Sequence, residues 1–282
     1  MQPQRTEGGQ RNYSDADIER LKLLVSATEA GRQIGQVARL PDDELRAMVA
    51  ADESALPAQS TTPDNQPEVG AYLVNALDAV EQFDSATLES TLRAAALRLP
   101  SEQMLDHVMG PLLQMIGSGW NEGRFPPANG HLATTIIRRV LTWMTEYPVV
   151  GEDAPAIVVC TPAFQMHDLG AMLVATAAAS NGWRVTYLGA SLPARELVRA
   201  ATLAKADTIA LSIVHPTDDI RVVHDLRELR ASLPAQTALV VGGAGASAYA
   251  DVLAEIGAER MGSIAALRAW LVQRAEQRVA LG

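Results

Sequence analysis

Between residues 71 and 149 apolar side chains recur every three or four positions. The segments "AYLVNALDAVEQF", "SATLESTLRAAALRL", "SEQMLDHVMGPLLQMIGSGW" and "NGHLATTIIRRVLTWMTEY" each carry one apolar face at helical spacing. Ser85 and Ser101 are the predicted N-caps of the middle two, with Glu or Gln following in the first turns. Four amphipathic helices with short joints predict a four-helix bundle, with Met104, Met109 and Met115 as ordinary packing and His107 facing solvent.

After Gly151 the pattern changes. "PAIVVC", "RVTYLG", "DTIALSIV" and "TALVVGG" are short β-branched runs, each followed by a helix-patterned segment. Alternation at this spacing predicts an α/β fold, a doubly wound parallel sheet covered on both faces. Upstream, "DADIERLKLLVSATEAGRQ" reads as a helix with Ser14 and Asp15 as cap candidates, and "IGQVARLPDDELRAMVA" as a second, shorter one. The stretch "ADESALPAQSTTPDNQPEVG" is rich in Ala, Ser, Thr and Pro and reads as a linker. The expected divisions are therefore 1–50 helical, 51–70 linker, 71–149 bundle and 150–282 α/β domain.

Composition narrows the function classes. The 282 residues are 48% hydrophobic, only 4% aromatic, and carry a formal net charge of −10. That charge argues against a whole-protein footprint for nucleic acid, leaving room only for a local patch. The single cysteine, Cys160, lies in an apolar run, can neither staple the fold nor build a thiolate metal site, and reads as core. No apolar run reaches the length of a membrane span, and "MQPQRTEGGQRNYSD" has no signal-peptide core. A cytoplasmic protein that meets no membrane is expected.

Doubly wound sheets bind ligands beyond the carboxyl ends of their strands. His167, Ser212 and Gly242-Gly243 all fall at such ends. Taken singly, each has an ordinary reading: a histidine that bonds a loop or caps a helix, a serine that says nothing, a glycine pair that makes a tight turn. The first strand is followed by "TPAFQMHDLG", not by the glycine pattern of a dinucleotide site, and neither a Walker Gly-Lys-Ser/Thr nor a G-x-S-x-G elbow occurs.

Together the strand ends form a sharper set: Gln165-Met166-His167-Asp168-Leu169-Gly170, then Ser212-Ile213-Val214, then Gly242-Gly243. This resembles the cobalamin-binding domain, whose pattern is Asp-x-His-x-x-Gly, then Ser-x-Leu, then Gly-Gly. The resemblance implies cobalamin as cofactor and His167 as lower axial cobalt ligand, in place of the cofactor's own benzimidazole. It implies that the displaced nucleotide tail runs beside Ser212 and the glycines, with Gln165, Met166, Asp168, Leu169, Gly170 and Val214 around it. The chemistry suits these residues: a neutral imidazole is a good cobalt ligand, a hydroxyl can bond the tail, and glycines leave room for it. Gln165 departs from the family's Asp or Glu. Its carbonyl could still accept the ligand's second N–H, but without a charge it would leave His167 a less basic ligand. His215, beside Ser212, is open to a place in the tail slot, and His224 reads as solvent-facing.

The helical segment resembles the cap of light-sensing repressors of the MerR type (CarH- or LitR-like), in which a tryptophan is followed ten and eleven residues later by Glu-His. Here the tryptophan is Trp120 and those positions hold Gly130 and His131. From the residues alone, Trp120 is equally bundle core and His131 equally surface. The resemblance implies that Trp120 packs over the upper ligand and that His131 is a candidate upper axial cobalt ligand. Gly130 departs from the family glutamate, which removes a partner for an adenosyl sugar, opens space and leaves the form of cobalamin undetermined. "RTEGGQRNYS" resembles the wing of a MerR-type winged helix, which implies DNA or partner contacts at Arg5, Arg11 and Tyr13. The recognition helix that should precede it is not in the sequence, and residues 1–47 hold seven Lys/Arg against eight Asp/Glu. Weak phosphate neutralisation disfavours autonomous DNA binding. The expectation is a truncated product, or a regulator that works through a protein partner.

The expected function is thus a cobalamin-binding photoreceptor or cofactor sensor that regulates transcription, directly or through a partner, by a light- or ligand-dependent change of upper ligand and oligomeric state. A homo-oligomer and no enzymatic activity are expected. The alternative is a corrinoid methyl carrier, against which the wing and the Trp120–His131 spacing argue. A mutase fragment is disfavoured because 282 residues hold no substrate barrel.

Overall fold

A computed structural model describes residues 4–5, 11–12, 20, 23–24, 40–55, 66–121, 123–124, 126–146 and 148–281. The chain divides into two compact units, residues 1–63 and 64–282.

In the first unit, β1 (Gln4–Arg5) and β2 (Arg11–Asn12) form an antiparallel ribbon in which Arg5 pairs with Arg11. Residues 20, 23 and 24, inside the first predicted helix, are helical. Helix α1 (Asp42–Ala55) starts directly after Pro41, with Asp42, Asp43 and Glu44 in its first turn, where the helix dipole favours negative charge. Leu24 and Leu45 are buried together against Leu23, Leu40 and Met48. Arg20 pairs with Asp42 and donates to the Leu40 carbonyl at 2.8 Å. Tyr13 lies outside the described residues, as do the side chains of Arg5 and Arg11.

The second unit opens with the bundle. Helices α2 (Gln66–Glu81) and α3 (Ser85–Arg98) are followed by α4 (residues 101–121) and α5 (Pro127–Glu146). Helix runs through 51–55 and 66–70, which the composition assigned to the linker. Ala and Glu favour helix there, and Pro67 is tolerated in a first turn, where no N–H partner exists. The N-cap of α3 is Asp84, not Ser85: its carboxylate accepts the Thr87 N–H at 3.0 Å and the Thr87 hydroxyl at 2.7 Å. Ser101 likewise sits inside α4, after Pro100. The π-helical stretch Met104–Met109 within α4 precedes Pro111, and the Gly110 N–H bonds Leu105 five residues back. Proline cannot donate to the preceding turn, and the wider turn accommodates the lost bond.

The sheet has five parallel strands in the order β4-β3-β5-β6-β7: β3 (Ala156–Cys160), β4 (Arg184–Tyr187), β5 (Thr208–Ser212), β6 (Ala238–Gly242) and β7 (Glu259–Arg260). The last, two exposed polar residues, carries no apolar signal and was not predicted. Helices α6 (Leu169–Ser180) and α10 (Ile264–Leu281) cover one face. Helices α7 (Ala194–Ala204), α8 (Ile220–Ser232) and α9 (Ala250–Glu255) cover the other. One apolar core runs from the bundle through α6 and α10 to Ile157, Val159, Ala210 and Val240. A second packs Val158, Cys160, Ile209, Leu211 and Val241 against α7 to α9. Residues alternate between the cores along each strand, which is why the strands read as unbroken apolar runs. Cys160 is buried, and burial with the nearby Asp225 charge pushes its thiol well above its usual range. Met104 and Met109 are buried in the bundle, whereas His107 and His224 are exposed. No helix among the described residues is long and apolar enough to cross a membrane.

Candidate functional site

The carboxyl ends of β3, β5 and β6 meet at one edge. Beyond β3 the chain turns through Thr161–Asp168 before α6. The Thr161 hydroxyl donates to the Gln165 carbonyl and accepts the Ser191 N–H at 2.8 Å, while the Phe164 N–H reaches the Ser191 hydroxyl at 3.1 Å. Gln165 is fully buried and spans two loops. Its Nε2 donates to the Pro216 carbonyl at 2.8 Å and its Oε1 accepts the Val214 N–H at 3.1 Å. The side-chain carbonyl predicted to orient His167 is therefore engaged by the loop after β5. Beyond that, the Ile213 N–H bonds the Gly242 carbonyl at 2.9 Å and the Gly245 N–H bonds the Ile213 carbonyl at 3.0 Å, so all three strand ends are tied together.

On this frame His167 and Met166 are exposed, Met166 at 68%. The imidazole of His215, also exposed, lies edge-to-face with His167, with ring centroids 6.1 Å apart. Leu169 and Val214 are half-buried. Ser212 is 2% exposed, and its hydroxyl has no hydrogen-bond partner among the described residues. A Cβ on Gly170 would stand 2.6 Å from that hydroxyl, so a larger residue where α6 approaches β5 would force the Ser212 side chain to turn away. Gly243 has φ +98°, and a Cβ there would strike the Ile213 carbonyl oxygen at 2.3 Å. Its glycine is demanded first by this backbone contact. Gly242 is less constrained, because a Cβ there would lie 3.4 Å from the Met261 carbonyl oxygen.

Asp168 takes a part that the sequence reading missed. Its carboxylate receives two bonds from Arg138 on α5, at 2.7 and 2.6 Å, and one from the Tyr187 hydroxyl at 2.7 Å. Burial alone would raise this carboxyl, but the Arg138 and Tyr187 hydrogen bonds and the Arg138 charge outweigh it and hold it below its ordinary value. Burial and the bond to Asp168 push the Tyr187 phenol up. The signals available were an arginine pair in an apolar helix, seven residues after His131, and a tyrosine at a strand end.

This clamp joins bundle and sheet. Arg138 meets Asp168 at the start of α6, and Thr145 Oγ1 lies 2.8 Å from Thr176 Oγ1 about two turns further on, so α5 and α6 run in the same sense. The first turns of α5 thus extend past the start of α6, over the edge that carries His167. His131 shares the face of Arg138, about 10 Å earlier along the helix axis, and is exposed. A Cβ at Gly130 would meet nothing within 4 Å, which leaves open space there. Asn129 anchors this end by donating to the Val80 carbonyl at 2.7 Å and the Glu81 carbonyl at 3.1 Å. Trp120 lies in the last turn of α4.

An exposed imidazole, a buried hydroxyl without a partner and glycines at the same strand ends fit a corrin with an extended nucleotide tail. Fold and site together define a cobalamin-binding protein, an α/β cobalamin domain joined to a helical cap.

The comparisons agree. Residues 155–263 match the B12 binding domain, and residues 1–44 match the MerR HTH family regulatory protein. The chain is 28% identical over 252 residues to the HTH-type transcriptional repressor CarH of Myxococcus xanthus, spanning 89% of this chain and 83% of that one. It is also 28% identical to the repressor CarA of the same organism, over 91% of this chain and 82% of CarA. The monomethylamine corrinoid protein of Methanosarcina barkeri shares the fold with a TM-score of 0.58 at 20% identity, over 74% of this chain and 99% of that one. The resemblance read from the strand ends and the wing is borne out: the chain is similar to CarH and CarA along most of its length, and it carries a B12 binding domain with cobalamin as its cofactor.

Proposed function

We propose that this chain is a cytoplasmic cobalamin-loaded regulator of transcription that reports light or cofactor status and catalyses no turnover. The observation that carries the reading is the buried, partnerless hydroxyl of Ser212 against Gly170, on the edge where His167 is exposed. His167 would hold the cobalt from below, Ser212 would bond the tail, and Gly170 would let it pass close to backbone. Cobalamin supplies a light-labile axial bond and an intense visible spectrum. On the upper side, His131 and Trp120 are the cap residues proposed to face the corrin.

The Arg138–Asp168–Tyr187 clamp ties the cap to the residue after His167. Through this clamp, residues holding cobalamin at His167 would be coupled to the contact between bundle and sheet, and so to self-association and to DNA or a protein partner. Arg5, Arg11 and Tyr13 are the proposed wing contacts. The test is the absorption spectrum and the sedimentation of the protein loaded with adenosyl-, methyl- or hydroxocobalamin, in the dark and after illumination. A lasting spectral shift together with a changed oligomer supports the sensor.

The second reading is a corrinoid methyl carrier, favoured by the bundle-over-sheet architecture shared with the corrinoid protein. It predicts tight methylcobalamin binding, no lasting light response and no change in oligomer.

A further inference from the structure

The position two residues before His167 holds a glutamine whose amide nitrogen and oxygen are both engaged elsewhere, and that engagement has a consequence at His215. Gln165 bonds the N–H of Val214 at 3.1 Å and the carbonyl of Pro216 at 2.8 Å, which are the two residues flanking His215. The Pro216 carbonyl also accepts the Tyr249 hydroxyl at 3.2 Å, and that hydroxyl accepts the Asp219 N–H at 3.1 Å. The backbone on either side of His215 is therefore pinned by side chains buried in the sheet domain. The imidazole so placed stands against His167, centroids 6.1 Å apart and planes at 79°. That is an edge-to-face pairing within the range over which aromatic rings attract.

We propose that His215 is the positioning residue for His167: Gln165 clamps the loop after β5, and the clamped loop presents a second imidazole that fixes the ring plane of the first. Metal-ligating histidines commonly need a partner to hold their orientation, and loss of such a partner costs metal affinity. In this chain a ring contact serves, supplied by a residue 48 positions later in the sequence. The inference rests on His167 as the cobalt ligand, and both are tested in one series.

The full chain, grown with 15N-labelled histidine, is loaded with methylcobalamin for affinity and with cob(II)alamin for electron paramagnetic resonance. An axial histidine 15N splits each cobalt line in two, whereas the cofactor's own 14N base would split it in three. Only the two-fold pattern is counted as the nitrogen splitting. Wild type should show the nitrogen splitting and His167→Ala should lose it. His215→Ala is expected to weaken methylcobalamin binding about ten-fold or more and to reduce the fraction of split signal. His215→Phe, which keeps an aromatic ring, should restore most of both. Because His215 is exposed, the melting temperature of the unloaded protein should be the same in all three. Unchanged affinity and full splitting in His215→Ala overturn the inference alone. So does a His215→Ala loss that the phenylalanine variant does not recover. A wild-type signal without nitrogen splitting, or one that survives His167→Ala, overturns the ligand assignment and the inference with it.

Discussion

The buried hydroxyl of Ser212, which a Cβ on Gly170 would meet at 2.6 Å, has no hydrogen-bond partner among the described residues and so sits at a cost in the free protein. Replacing it with alanine should lower cobalamin affinity roughly five- to ten-fold, the worth of about 1–1.5 kcal/mol of hydrogen bonding. The unloaded protein should melt no lower than wild type, and equilibrium dialysis beside thermal melts checks both. Gly243→Ala should do the reverse. At φ +98° and 2.3 Å from the Ile213 oxygen, a methyl group strains the joint between β5 and β6. We expect a loss of about 1–3 kcal/mol in denaturant unfolding. At this scale the sequence was legible in placing His167, Ser212 and the glycines at the carboxyl ends of the strands, where the structure has them. It was illegible for Gln165. Nothing local tells that its amide bonds Val214 and Pro216, some fifty residues away in sequence, rather than the ring of His167.

The joint between α5 and α6 hangs on a carboxylate shared by Arg138 and Tyr187. Arg138→Met should cost about 1–2 kcal/mol, less than a fully buried pair because the arginine is half-exposed, and Asp168→Asn should cost a similar amount. A double-mutant cycle in denaturant would show the two losses to be shared rather than additive. The pH dependence has a definite sign. Asp168 is held below its unfolded value of about 3.9, so its stabilisation is complete above about pH 4 and is lost as the pH falls through the lower folded value. Asp225 runs the other way. Burial raises it, only partly offset by the Ala194 and Ala163 N–H groups, so its contribution declines as the pH rises through that raised value. Asp168→Asn should therefore flatten the acid limb of stability below about pH 4. Among the elements, helices and central strands were readable from periodicity, since each buries one face of a helix or both faces of a strand. Boundaries were not, because Asp84 out-competes Ser85 for the cap and the helices run into Ala- and Glu-rich ends. β7 escaped because two exposed polar residues leave no pattern.

Over residues 64–282, the common core from bundle to sheet means that the cap is not a separate lid. It is packed on the face whose strand ends carry the site, and its first turns on α5 reach over that edge. A ligand that contacts both His167 and the α5 face would bias this packing, which is how, on the proposed function, a change at one atom would reach the surface of the cap. The sequence could name the two layers, but not the arginine–aspartate clamp between them, because that contact pairs helices whose patterns report only their own apolar faces. The most direct test of the whole account is the absorption spectrum of cobalamin-loaded protein before and after His167→Ala, with circular dichroism on the same samples. The account predicts that the histidine-bound spectrum is lost while the fold remains. An unchanged spectrum and affinity in the alanine variant would contradict it.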